Sequence, residues 1–180
     1  MSKFLPLLVL LPILACKTQS YAENSPYFRI PVGSTVEIRQ VLTIPANTAR
    51  VYIQYGKTTQ YQNLDQYEAH CWVLSWKVLP ENQTIKPGNF IVTRLRELED
   101  LVRYKNNMQF VRTQNNPYQN INGGVTAVEY KTELTIHSSE QPDIRKLVCN
   151  HWEDPSDARH LSLAEIRTTL GDLITIKLKN

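Results

Sequence analysis

The sequence predicts a mainly β domain, a single antiparallel sandwich or partly open barrel with one short C-terminal helix. Apolar and polar residues alternate along several segments, turn-forming residues separate those segments, and one capping sequence opens a helix near the C-terminus. Composition agrees: 42% of the 180 residues are hydrophobic and 21% charged, with 6 Gly, 10 Pro and 3 Cys. That excludes collagen, a disordered tail and a disulfide-dense miniprotein. Without its first 22 residues the chain keeps about 158, enough to bury close to 70% of its unfolded surface around one core.

Residues 23–34 hold Pro26, Pro31 and Gly33 and read as an extended lead-in or tether before a single domain over 35–180. Val36, Ile38, Leu42 and Ile44 share one face of a strand, with Gln40 the polar exception. Pro45-Ala46-Asn47 turns the chain into Ala49, Val51 and Ile53, which predicts a first hairpin. A polar connection from Tyr55 to Glu68 leads to a strand over 70–78, with Trp72, Leu74, Trp76 and Val78 on one face and Cys71, Val73, Ser75 and Lys77 on the other. Pro87-Gly88 turns into a strand over 90–98. Leu95, Leu98, Leu101 and Val102 also suit a helix, so 94–104 stands between a helix and a tight hairpin, with strands favoured by Ile91, Val92 and Thr93.

Residues 106–124 are rich in Asn and Gln and end in Gly123-Gly124, a long polar loop with a short strand around Met108 to Arg112. Val128, Tyr130, Leu134 and Ile136 form one face of what reads as the longest strand. Another strand covers 144–150 and a loop covers 153–160. Ser162 and Glu165 have capping-box spacing, which predicts a helix over 163–170 stopped by Gly171. A last strand covers 173–178, and no internal repeat is visible.

The N-terminus predicts export. Met1 to Lys3 is positive and Phe4 to Leu14 is apolar, too short to span about 30 Å of hydrocarbon, which takes about 20 helical residues. Two processing sites stay open. Ile13-Leu14-Ala15-Cys16 resembles a lipobox, with 1–15 removed and lipid on Cys16, while Ser20-Tyr21-Ala22 suits ordinary cleavage, leaving Cys16 in a discarded peptide. The protein is therefore expected in the periplasm or as a lipoprotein anchored to the outer membrane, where the lipid would be its sole membrane contact. Lys3 and Lys17 precede Glu23, so a chain starting there carries about +1, which argues against nucleic acid as a partner.

In such a compartment Cys71 and Cys149 are expected to form a disulfide. With His70 and His151 they also make up the inventory of a zinc site, but neighbouring residues on a strand point to opposite faces and the spacing lacks zinc regularity. Copper has only Met108 as a thioether after export. His137 and His160 are isolated, and Asp65, Glu68, Glu153 and Asp154 are loop carboxylates with no fixed separation. There is no nucleophile elbow, phosphate loop or dinucleotide fingerprint, so no cofactor is implied. Arg94, Arg96, Arg103, Lys105 and Arg112 lie among Glu97, Glu99 and Asp100 and read as a mixed-charge solvated face. Tyr55, Tyr61, Tyr67 and Tyr118 stand in the polar loops and supply planar groups of the sort that bind sugars or peptides.

The segment Cys149-Asn150-His151-Trp152-Glu153-Asp154-Pro155, with His160 to Arg167, Gln66 to Cys71 and Val51 to Gln54, resembles uncharacterised exported proteins of proteobacteria. That resemblance implies export and a bacterial source, and no activity. The functional reading is a non-enzymatic envelope module that binds a protein or glycan through its Tyr, Asn and Gln loops. The alternative is an envelope hydrolase or metal-dependent enzyme using histidines and loop carboxylates. Convergence of His70, His151, Glu153 and Asp154 in one concave pocket would favour the enzyme.

Overall fold

The computed structural model describes residues 21–102, 127–157 and 159–179. Its strands are β1 (Thr35–Ile38), β2 (Leu42–Ile44), β3 (Arg50–Gln54), β4 (Lys57–Thr59), β5 (His70–Ser75), β6 (Gln83–Ile85), β7 (Gly88–Val102), β8 (Ala127–His137), β9 (Ile144–Glu153) and β10 (Ile174–Lys177). The helix α1 covers Leu163–Leu170, and single 3-10 turns lie at Tyr61–Asn63 and Pro155–Asp157. Eight strands form one antiparallel sheet in the order β10-β1-β7-β8-β9-β5-β3-β4, while β2 pairs with β6. The large sheet curls into a half barrel, as the sequence predicts.

The two edges of that sheet, β10 and β4, are not hydrogen-bonded to each other. Helix α1 lies between them, packed against β10 on one side and against β3 and β5 on the other. Its Leu163, Ile166 and Leu170 join Ile38, Ile53, Phe90, Leu134 and Leu147 in one core, so burial completes the barrel where backbone pairing does not. The predicted helix limits hold, and both halves of the capping box form. The lead-in carries no strand but is docked: Ile30 is buried, Gly33 N–H donates to the Val92 carbonyl (2.8 Å), and Glu23 pairs with Arg167 of α1.

Three expectations need correction. The first predicted hairpin does not form. The chain leaves β1 at Arg39, β1 takes its place between β10 and β7, and β2 crosses to β6, so the turn at Pro45–Thr48 joins two different sheets. Residues 94–102 are strand, as Ile91, Val92 and Thr93 favoured, but they form the continuation of β7 and not a tight hairpin, and at 15 residues β7 exceeds β8 at 11. A register shift between Val92 and Arg94 explains the misleading spacing: Phe90 and Val92 face the core before it, Leu95 after it. Finally, the connection from Tyr55 to Glu68 contains β4, and β5 ends at Ser75 with Cys71, Val73 and Ser75 inward and Trp72 outward. The loop expected over 106–124 lies outside the described residues, as do Arg103, Lys105 and Arg112. Arg94 and Arg96 sit on the outer face, where Arg96, Lys131 and Lys146 meet Glu133, Glu129 and Asp100 in a mixed-charge ladder.

Cys71 and Cys149 stand opposite each other in the β5–β9 register and are joined in a disulfide buried in the core. The bond closes 78 residues and ties β5 to β9. In the chain-entropy account a loop of that length stabilises by about 4.5 kcal/mol before native strain and unfolded-state structure reduce it. The paired substitution Cys71→Ala with Cys149→Ala is expected to lower unfolding free energy by about 2–4 kcal/mol in urea titrations. A change under about 1 kcal/mol would count against a stabilising bridge.

Candidate functional site

An open groove of about 460 Å³ runs between α1, the β3–β4 turn, the loop before β5 and the end of β9. The turn is built first by backbone geometry. Tyr55 and Gly56 both have positive φ, 53° and 72°, the pattern of a type I′ hairpin turn. Gly56 N–H donates to the Thr169 carbonyl near the end of α1 (2.9 Å), and Gly171 follows that helix with φ 54°. A Cβ on Gly171 would lie 2.7 Å from Gly56 Cα, so the two glycines let turn and helix end touch backbone to backbone. This contact fixes Tyr55 at the rim of the groove with 66% of its surface exposed. Partial desolvation, then the charges of Glu68 and Asp65, push its phenol above the ordinary value.

The facing loop is held by two buried side chains. Gln54, 5% exposed, donates from Nε2 to the Asp65 carbonyl (2.8 Å) and accepts from Asp65 N–H (3.1 Å). His70 Nδ1 lies 2.9 Å from the Glu68 carbonyl, which can only accept, so the ring hydrogen is on Nδ1. Burial pushes the His70 imidazole below its ordinary value, against the raising effect of that carbonyl. Trp152 N–H donates to the Gln66 carbonyl (2.8 Å), and Tyr67 meets the Trp152 ring edge-on. Glu68 and Tyr67 are thereby placed in the groove wall.

The remaining wall comes from the last residues of β9 and the start of α1. His151, 3% exposed, lies on the same strand face as Cys149, two residues along, and forms the floor. Its Nε2 is 3.0 Å from the Arg159 carbonyl, and its Nδ1 is 3.8 Å from Glu153 Oε1. Arg159 engages Glu165 through both ends of its guanidinium (2.9 and 2.8 Å). Glu165 also accepts from Ser162 N–H (2.8 Å) and Ser162 Oγ (2.7 Å), while its own N–H donates to Ser162 Oγ. Burial alone would raise the Glu165 carboxyl, but the Arg159 and Ser162 bonds outweigh it and hold the group at about 2.

Of the residues singled out from the sequence, Tyr55, Tyr67, Glu68, His151 and Glu153 come together here. His70 is on the opposite sheet face from His151 and reaches the site only through the Glu68 backbone. Asp154 does not line the groove and accepts from Ser156, so the four-residue convergence expected of an enzyme is incomplete. Tyr61 packs against Tyr52 instead, and Tyr118 and Cys16 lie outside the described residues. His137 borders a separate hollow at the start of β7, and His160 meets Tyr130 edge-on. The zinc alternative loses both sulfurs to the disulfide, and among the described residues no three His, Cys, Asp or Glu side chains are placed to hold a metal. Sequence reasoning missed Arg159, Gln54 and the Gly56–Gly171 contact. Tyr-Gly between two short alternating segments was the available hairpin signal.

No protein-family model matches the chain, and no curated protein or solved structure matches it either.

Two outcomes follow for the helix start. Ser162→Ala is expected to cost about 1 kcal/mol in chemical denaturation through loss of the N-cap. The Glu165 carboxyl sits at about 2 when folded against 4.5 ordinarily, so its stabilisation is complete above 4.5 and lost as pH falls toward 2. Stability measured across that window should fall less steeply for Glu165→Gln than for the parent; identical slopes would contradict the assignment.

Proposed function

We propose that the chain is an exported, non-enzymatic binding module of the bacterial cell envelope, with its ligand seated in the groove beside α1. The observation that carries this reading is Tyr55. A tyrosine in the left-handed region costs about 1–2 kcal/mol relative to an ordinary backbone, and a mostly exposed ring recovers little of that by burial. Strain of this kind concentrates at sites that contact ligands, and here two glycines and a helix end hold it in place. Tyr67 adds a second ring, and rings with amide and carboxylate neighbours suit ligands that are part planar and part polar.

The hydrolase reading draws on His151 and Glu153 sharing the groove. Against a covalent mechanism, the groove lining among the described residues holds no Ser or Cys, and the Thr168 and Thr169 hydroxyls donate to helix carbonyls (3.0 and 2.9 Å). Export is supported by the basic and apolar start of the chain and by the disulfide, a bond that persists in oxidising compartments. Intact mass after expression in a bacterial host separates lipid on Cys16 from a soluble chain beginning at Glu23, and a full-length unprocessed product would defeat both.

Binding is tested by following backbone amides in nuclear magnetic resonance spectra while a panel of amino acids, dipeptides and monosaccharides is added. The expected result is shifts confined to 55–56, 66–69 and 151–169, weakened about tenfold or more in Tyr55→Ala. Silence of those amides toward the whole panel, or turnover of any panel member, would overturn the binding-module reading.

A further inference from the structure

The charges and hydrogen-bond roles of the groove select among ligand chemistries. Arg159 is the cation of the lining, and its guanidinium is held by Glu165 through two parallel bonds. Among the described residues Glu68 has no ion-pair partner, and Glu153 lies 3.8 Å from His151 and feels Arg159 only through the longer-range field, since the Arg159 guanidinium is bonded to Glu165. The groove is therefore anionic although the whole chain carries a formal charge of +3.

A second, independent observation concerns His151. Its Nε2 faces the Arg159 carbonyl, which can only accept, so the hydrogen is on Nε2 and in the neutral ring Nδ1 presents a lone pair. Among the described residues Nδ1 has no hydrogen bond, although the side chain is 4% exposed. The His151 Nδ1 and the Glu153 carboxylate thus stand 3.8 Å apart in the groove, with no donor between them among the described residues. Two acceptors at this spacing are complemented by one group carrying several hydrogens.

We propose that the ligand enters with a primary ammonium group, which donates to Glu153 and His151 Nδ1 in the groove that Tyr55 and Tyr67 also line. The proposal rests on the groove being a ligand site and names what that site selects. An ammonium supplies three donors, is opposite in charge to the carboxylates, and is attracted by aromatic faces. A carboxylate or phosphate ligand would meet Glu68 and Glu153 with like charge, and a neutral sugar hydroxyl would leave both carboxylates uncompensated.

The test compares Nα-acetyl-lysine methylamide with the same molecule acetylated on Nε, which removes the charge and retains the chain. Affinities are read from amide shifts at 55–56, 66–69 and 151–169 in the full disulfide-bonded protein. The charged probe is expected to bind about tenfold or more tightly than its neutral partner, and Glu153→Gln to erase most of that preference. Glu140→Gln, in the turn between β8 and β9, is expected to leave it unchanged, which separates a local contact from overall charge. Equal affinities for the two probes, or a preference that survives Glu153→Gln, would overturn the ammonium proposal while leaving the groove as a binding site. Failure of both probes to shift those amides would overturn the proposal, and the groove reading would then stand or fall on the wider panel.

Discussion

The close approach of Gly56 to Gly171 joins the two ends of a sheet that does not close on itself. An open curled sheet leaves two edges with unpaired backbone groups and an exposed concave face. Here the concave face is covered by Leu163, Ile166 and Leu170 of α1, and the helix end is pinned to the β3–β4 turn by the Gly56 to Thr169 hydrogen bond. The helix has only eight residues, too few to persist alone, so its existence depends on this docking and on its capping box. The disulfide works from the other direction, fixing β5 to β9 beneath it. Sheet, helix and turn are therefore mutually dependent, and the groove is the space left where they meet.

That origin explains why the groove is polar and well anchored. Three of its walls are element ends, where backbone donors and acceptors run out of regular partners. Gln54 and His70 satisfy the loop from Asp65 to Glu68, and Ser162 with Glu165 satisfies the first turn of α1. Glu165 has a double role, as capping residue and as the counter-charge that neutralises Arg159. Because that pair is internally satisfied, the carboxylates of Glu68 and Glu153 set the character of the site.

How much of this was legible in the sequence differs by the range of the interaction. The helix was readable because its start and stop are local: Ser162, Glu165 and Gly171 act within a few residues of one another. The disulfide was readable because the export expected from the N-terminus leaves Cys71 and Cys149 as the two cysteines to pair. The first hairpin was misread because the alternation of 36–44 conceals a break at Arg39 to Val41, and the choice of partner strand is made by residues about 40 or more positions away. In β7 a single inserted residue at Thr93 changed which face is inward, so a continuous strand imitated helical spacing. Five groove residues were identifiable by type, yet only the fold shows that His151 and His70 lie on opposite faces, or that Tyr55 is presented by a contact with a helix 115 or so residues later. Long-range backbone contacts carry no local pattern.

The dependence of the fold and its groove on the Gly56–Gly171 contact is open to direct observation. Nuclear Overhauser spectra of the oxidised protein, recorded with amide hydrogen exchange, report that contact without altering it. A strong cross-peak between the α-protons of Gly56 and Gly171, with the Gly56 amide protected to the same degree as the amides of α1, is the predicted result. Absence of the cross-peak, with the Gly56 amide exchanging at the rate of an open loop, would contradict the account.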